Sequence, residues 1–552
     1  MKMSHLLTIV AVTVSALAAN AQNFDYAAIT QRSVDLLEKL VNAKPITGCE
    51  DEANALIVER LKQLGLEYKI VLSGDVPATP PNTVTDPGGL CLDGRQPAYD
   101  KRPNIIVRLK GSVEGAKPLK SFLVVAHMDV VPAIKQVWSP GFMPHKLTLK
   151  DDYYYGRGTL DMLSYLSFSV ELFGEIKRQN MKLERDLILM LNSDEEKGGM
   201  NGMGWLVNNQ PELFEGVELA VSEGGATVAD DSNQPLFIGY EAAQKRYQDF
   251  KIVAQGDTGH SSTPSKIQAV NLLNEALNKI RQTPAKPRLI PLIKSYFKER
   301  AKVETDPVLK TTLATLGNAS DADSANLLVK YKKEVNLLES KFPVIHALLR
   351  RTCTATVVDA GNFSAKNAQP QTATAFVNCR LMPDETVDQL LPLFKKSIDQ
   401  NFGEKSTDPK VSIDLDIDYR KSHGGASDIN GIIPKTLKKY ADSYFKGIPA
   451  IPSMLTGATD LRYLRKMGIQ AYGFGPVIIS DNDRKRAHGI DERIFAGKLQ
   501  NGIELFSNFV LDISSPNSRK PASEGAVYPG EVSKSFGHAF DDNNLHGSSC
   551  RH

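Results

Sequence analysis

The stretch Ser121-Phe122-Leu123-Val124-Val125-Ala126-His127-Met128-Asp129 decides how the rest of the chain is read. Phe122 to Ala126 is a short, continuous apolar run, which suits a strand buried on both faces of a parallel sheet. It stops at His127, and Asp129 follows two residues later. Side chains alternate along extended backbone, so these two point the same way. In an open α/β sheet, ligands bind in the crevice beyond the carboxyl ends of the strands. An imidazole with a carboxylate beside it is a pairing that metal sites use. Taken alone, the stretch is no more than a strand end with two polar residues meeting solvent.

The same pattern then recurs. Asp186 to Leu191 is a second buried run, ending in Asn192-Ser193-Asp194-Glu195-Glu196. Val217 to Val221 is a third, ending in Ser222-Glu223-Gly224-Gly225. Between the first two, Gly156-Arg157-Gly158 leads to Asp161, which opens an amphipathic helix running to about Lys177. Near the end of the chain stands Arg486-Ala487-His488-Gly489. An acidic turn would account for Glu195-Glu196 alone, and a helix N-cap for Asp161 alone. Repeated placement of such residues at one sheet edge points to a site. Imidazole and carboxylate ligands suit zinc, with cobalt or manganese as substitutes. Two histidines and three carboxylates suffice for two ions if one carboxylate bridges them. Adjacent carboxylates cannot easily serve one ion, so one of Glu195 and Glu196 is free to act as general base.

The chain has 552 residues, which implies two or more domains. Apolar residues make up 41% and charged residues 24%, the balance of a globular protein. A net charge of +2 gives no support for a nucleic-acid partner. Lys2 and His5 precede an apolar run from Leu6 to Ala19, and Ala19-Asn20-Ala21 is a small-x-small cleavage site. Residues 1–21 are therefore expected to be a signal peptide, with an exported (periplasmic or secreted) mature chain beginning near Gln22. At ~14 residues the run is shorter than the about 20 needed to span a bilayer, so no stable membrane anchor is expected. Export permits disulfides. Cys353 and Cys379 lie in two strand-like runs that could pair, Cys49 and Cys91 are another pairing, and spacing leaves the connectivity open. The absence of CxxC argues against a thiolate zinc site.

The expected fold class is α/β: a mostly parallel central sheet flanked by helices, with an inserted α+β lid. Tyr26 to Leu66 is helical in pattern and Asn104 to Leu109 is a strand. From Phe250 onward, strand, helix, strand, strand, helix and strand follow one another in the split order of a ferredoxin-like unit. The expected division is 22–247 and 421–512 for a discontinuous catalytic domain, and 248–420 for the lid. A helical insertion is expected at 283–350. The tail 513–552 is polar and without periodicity.

A series of motifs now resembles the M20 metallopeptidases. It comprises His127-Met128-Asp129-Val130-Val131-Pro132, Gly156-Arg157-Gly158 with Asp161, Asp194-Glu195-Glu196, Glu223-Gly224-Gly225, Gly259-His260-Ser261, Arg380 with Pro383, Gly457 with Thr459-Asp460, and His488-Gly489. They run in family order over roughly residues 104 to 500, and the length and lid insertion look most like the carboxypeptidase S and aminoacylase-like branch. The resemblance implies a co-catalytic di-zinc site. His127 and Glu223 would bind one zinc, Glu196 and His488 the other, and Asp161 would bridge. Asp129 would orient His127. Glu195 would take a proton from the attacking water and return it to the leaving amine. His260, in some relatives from across a dimer interface, would polarise the scissile carbonyl. Arg380 and Asn367 would hold the substrate's carboxylate. Where many relatives carry a lysine two residues after the bridging aspartate, this chain has Leu163. The implied substrates are small peptides or N-acyl amino acids, with a homodimer through the lid as the implied assembly. A hydrolase or synthase of N-fatty-acyl amino acids is the neighbouring alternative. A non-catalytic periplasmic binding protein on the same fold is the alternative from another class, and the intact Glu195 argues against it.

Overall fold

The computed structural model describes residues 24–74, 91, 101–112, 119–133, 136–362, 364–399, 410–416, 418, 424–445 and 447–516. The expected signal peptide and most of the C-terminal tail lie outside the described residues.

The apolar runs become neighbouring strands. Arg185–Asn192, Leu119–His127, Val217–Ser222 and Gln470–Gly473 lie side by side in that order, all parallel. His127 pairs with Asn192, Val124 with Val221, and Gly473 with Ser222, so the carboxyl ends line one edge of the sheet. Towards one flank, Pro103–Leu109 and Tyr68–Leu72 continue the sheet antiparallel. On the other, Ala226–Ala229 and Pro235–Gln244 form an antiparallel hairpin, joined by parallel strands Ile478–Ser480 and Ala450–Leu455. The sheet is thus parallel at its centre and mixed overall, because short connections such as 230–234 can join only antiparallel neighbours.

Burial follows the alternation of the strands. Phe122, Val124, Ala126, Leu187, Leu189 and Leu191 face one core, with helices Tyr26–Asn42, Leu163–Arg178, Ile432–Tyr444 and Leu499–Ser514 packed over it. Leu123, Val125, Ile188 and Met190 face the other, beneath Met203–Asn209 and Leu461–Lys466. Helices on both faces explain why the central strands read as unbroken apolar runs.

The second sheet has the order Thr352–Ala360, Thr372–Leu381, Arg246–Gln255, Val411–Leu415, all antiparallel. Helices Ala269–Gln282 and Val387–Asp399 cover one face, giving the ferredoxin-like arrangement. Its core is separate and centres on Phe250, edge-to-face with Phe394 at 5.2 Å. The helical segment between Pro291 and Ala347 belongs in space to the first core: Leu292, Ile293, Phe297 and Leu313 join the large apolar cluster beside the main sheet. The chain passes from one sheet to the other through buried Lys245, whose Nζ donates to the carbonyl of Arg350 at 2.7 Å. Disulfides join Cys49 to Cys91 and Cys353 to Cys379. Among the described residues, no helix is long and apolar enough to cross a membrane.

Phe250→Ala should empty the centre of the second core and destabilise the fold by about 3–5 kcal/mol, measured by urea denaturation. An unchanged midpoint would show that this ring does not carry the packing.

Candidate metal centre

The five residues expected to bind metal, and Glu195 beside them, meet beyond the parallel strand ends. His127 Nε2 lies 3.1 Å from Asp161 Oδ1 and 3.9 Å from Glu223 Oε1. His488 Nε2 lies 3.0 Å from Asp161 Oδ2 and 3.1 Å from Glu196 Oε2. The two oxygens of Asp161 therefore face the two imidazoles, as a bridging carboxylate would. Ligand atoms of His127, Glu195 and Glu223 lie within 4.8 Å of one another, and so do those of His127, Asp161 and Glu196. Parallel register brings His127, the Glu195–Glu196 turn and Glu223 together. Asp161 comes from the loop before helix Leu163–Arg178, where the Asp161–Met162 peptide is cis, and His488 from the loop after residue 484.

The electrostatics are those of crowded like charges. Burial pushes the Glu195 carboxyl well up, opposed by His127 and reinforced by the charges of Asp460, Glu196 and Asp161. Burial likewise raises Glu223 well up, with Asp161 and Glu195 adding to it. Glu196 is raised to about 7 by burial and by Asp161. Asp161 moves the other way: burial opposes its ionisation, but hydrogen bonds from His127 and His488 hold it well below the carboxylate range. His488 is raised to about 10 by its bonds to Asp161 and Glu196. Among the described residues, Glu196 Oε1 is buried without a hydrogen-bond partner. Imidazole nitrogens, converging carboxylates and an unpartnered buried oxygen are a donor set that fits a pair of divalent cations.

Asp129 works differently from the expectation. The Nδ1 of His127 meets the backbone carbonyl of Asp129 at 2.9 Å, whereas the carboxylate lies 3.7 Å away. The carboxylate instead accepts the N–H groups of Glu195 at 3.1 Å and Glu196 at 3.2 Å, and the hydroxyl of Thr47 at 2.7 Å. Asp129 thus orients His127 through its main chain and the acidic turn through its side chain. Asp194 begins that turn with φ +70° and accepts the N–H of Asn201 at 2.8 Å.

The residues expected from the second sheet do not gather at one place. His260 is exposed; its Nδ1 meets Ser262 Oγ at 2.7 Å and its Nε2 lies 3.4 Å from Asn367 Nδ2. Gly259–His260 pairs with Ala368–Gln369 beyond the end of the ladder at Gln255 and Thr372. Arg380 is at the opposite end, paired with Tyr247, its guanidinium 4.5 Å from that ring's centre and close enough to Arg462 to feel its charge. At about 3.4 Å per residue, the eight steps from Thr372 to Arg380 span ~27 Å. Within one chain the fold therefore does not bring Arg380 and Asn367 together; motif order does not reveal which end of a strand a residue occupies.

The sequence reading missed Thr47, Gln136 and Glu492, and noted Arg157 only as part of a motif. Glu492, an acid four residues after His488, was the one available signal; Thr47 and Gln136 carried none.

The chain belongs to peptidase family M20: the family described as Peptidase family M20/M25/M40 matches residues 123–512. The N-fatty-acyl-amino acid synthase/hydrolase PM20D1 of Mus musculus is 24% identical over 412 residues, covering 72% of this chain and 75% of the relative. Carboxypeptidase S of Saccharomyces cerevisiae is 22% identical, with 73% of each chain covered. The solved structure of the dipeptidase Dug1p from Saccharomyces cerevisiae shares the fold with a TM-score of 0.57 at 18% identity, covering 89% of this chain and 98% of that one. A Bacillus subtilis structure with a TM-score of 0.52 and 12% identity, covering 88% of this chain and 99% of that one, is described as a dinuclear metal binding peptidase of the M20 family.

Burial holds Asp194 up to about 7, against the N–H of Asn201 and with the charge of Asp129 adding to it. The folded chain then keeps this proton to higher pH than the unfolded chain does. The contribution of Asp194 to stability is fully present below the ordinary carboxylate pKa and is lost as pH rises towards about 7. In metal-stripped protein, Asp194→Asn should remove that part of the decline, read from denaturation midpoints at about pH 5 and about pH 8. Asp194→Ala loses the acceptor for Asn201 and should cost about 1–3 kcal/mol at both.

Proposed function

We propose that this chain is an exported, zinc-dependent hydrolase of the carboxypeptidase or dipeptidase type. It cleaves the amide next to a C-terminal amino acid in small peptides or N-acyl amino acids. The observation that carries the reading is Asp161 standing between His127 and His488, with half-buried Glu195 beside them. His127 and Glu223 would hold one cation, Glu196 and His488 the other, and Asp161 both. Such a pair polarises a scissile carbonyl and lowers the pKa of water. Cobalt or manganese would fit the same ligands.

Glu195 accepts the proton of the attacking water and delivers it to the departing amine. Burial raises its pKa, which suits a group that must take up a proton and give it back. Arg380 stands at the end of the second sheet nearest the main core, two residues before Met382, and would take the substrate carboxylate with its planar fork. We assign 22–247 with 421–512 to the catalytic domain and 248–420 to the lid. Export is supported by the apolar N-terminal run and by two disulfides.

The separation of His260 and Asn367 from Arg380 favours a homodimer through the lid, in which these two residues serve the partner's site. A second reading of the substrate, an N-fatty-acyl amino acid hydrolysed or condensed, is favoured by the similarity to PM20D1.

Elemental analysis should find about two zinc ions per chain, with dipeptide hydrolysis lost on chelation and restored by zinc. Glu195→Gln should keep the metal and lower kcat by about 10²–10⁴-fold; near-normal turnover would remove it as the base. A panel of dipeptides and N-fatty-acyl amino acids separates the two substrate readings, and turnover of neither by folded, metal-loaded protein would favour a binding protein. Mixing inactive His260→Ala with inactive Glu195→Gln under subunit exchange should restore about a quarter of normal activity, since half the dimers are mixed and each has one complete site. No recovery in mixtures shown to exchange would rule out action across the interface.

A further inference from the structure

Asp161 and His488 reach the centre from loops far apart in the chain, and one buried carboxylate holds both. Glu492 is fully buried. Its Oε1 accepts the N–H groups of Gly158 at 3.0 Å, Leu160 at 3.0 Å and Asp161 at 3.1 Å. Its Oε2 accepts Nη1 of Arg157 at 2.5 Å. Arg157, also buried, donates through Nη2 to the backbone carbonyl of His488 at 3.1 Å and to Gln136 Oε1 at 2.7 Å. Gln136 Nε2 donates to the same His488 carbonyl at 2.9 Å. The backbone carbonyl of Glu492 accepts the N–H of Gly156 at 3.0 Å, closing the clamp on the Asp161 loop.

His488 needs such support. Its φ of +61° lies in the left-handed region, which non-glycine residues seldom occupy unless their surroundings hold them there. Two donors on its carbonyl fix the peptide that follows. A role in stability alone would not require this chemistry, because a buried ion pair is often replaced by apolar packing without loss. What apolar side chains cannot do is gather three N–H groups on one oxygen and pass the constraint, through a guanidinium, to a carbonyl on the opposite loop.

We propose that Glu492 and Arg157 are positioning residues that set the approach of His488 to Asp161, and so govern loading of the second cation, on the Glu196 and His488 side. This rests on the two-cation reading above. By this account the two cations are not held alike: the one beside His127 shares only Asp161 with this clamp, whereas the other takes both Asp161 and His488 from it.

The test is stepwise zinc release to a competing chelator, with cobalt-loaded protein followed by visible absorption. Glu492→Gln keeps an oxygen for the three N–H groups but sets an amide N–H against Arg157. It should weaken the second zinc, which loses the placement of both Asp161 and His488, by about 10–100-fold, and the first, which shares only Asp161, by less. Cobalt spectra should lose the second site's contribution first. kcat should fall with occupancy and return at high zinc, with KM little changed. Gln136→Ala removes one donor to the His488 carbonyl from a half-buried position, and should weaken the same site by a smaller factor. It decides the matter if Glu492→Gln does not fold. Wild-type release of both ions from the folded variants, or equal weakening of both, would overturn the proposal even if thermal stability fell. A parent chain holding fewer than about two ions would overturn the two-cation reading itself, and this proposal with it.

Discussion

Four carboxylates, Asp161, Glu195, Glu196 and Glu223, are held close together where little water reaches. At 4 Å, each pair of such charges repels by about 4 kcal/mol at an effective dielectric of 20. Left to itself the cluster would spread or take up protons. The surroundings prevent the first: Asp129 grips the backbone of the acidic turn, and Glu492 grips the backbone of the Asp161 loop. Both hold main chain, leaving the clustered side-chain oxygens free for cations. The parallel sheet supplies the rest of the rigidity, since a strand flanked on both sides cannot shift its end residue without breaking two ladders.

The main sheet was legible where its strands are buried on both faces, because an unbroken apolar run ending in His127, in Asn192 before the acidic turn, or in Ser222 before Glu223 states both the strand and its functional end. The hairpin Ala226–Ala229 with Pro235–Gln244 escaped notice. Pro235–Gln244 runs into Arg246–Gln255 with only Lys245 between, so periodicity gives no sign that the chain leaves one sheet and enters another. The second sheet was readable because its strands alternate and its helices keep one apolar face. The roles of Glu492 and Thr47 were hidden for another reason. Glu492 acts on backbone groups and Thr47 on the Asp129 carboxylate, each far away in sequence, and no local pattern encodes such a partner.

The M20 assignment and the geometry inform different parts of the molecule. Family likeness extends over residues 123–512, and the ligand cluster falls inside it. Within that span the metal centre is compact and self-consistent in one chain, whereas Arg380 and His260 stand at opposite ends of one antiparallel ladder. On the proposed roles, chemistry at the cations and recognition of the substrate's ends would have different spatial requirements, and the main sheet alone would meet only the first.

The helical segment from Pro291 to Ala347 is inserted between elements of the second sheet but packs beside the first. The polypeptide therefore crosses between the two cores after Gln244, after Gln282, after Leu349 and after Leu415. Three of these crossings lie side by side: Lys245 Nζ donates to the carbonyl of Arg350 at 2.7 Å, and the N–H of Arg288 to the carbonyl of Leu349 at 2.9 Å. Tethers gathered at one place act as a pivot, so displacement grows with distance from them. Any swing of the second sheet would then move Arg380, paired with Thr352 beside the pivot, much less than His260 beyond the far end of the ladder.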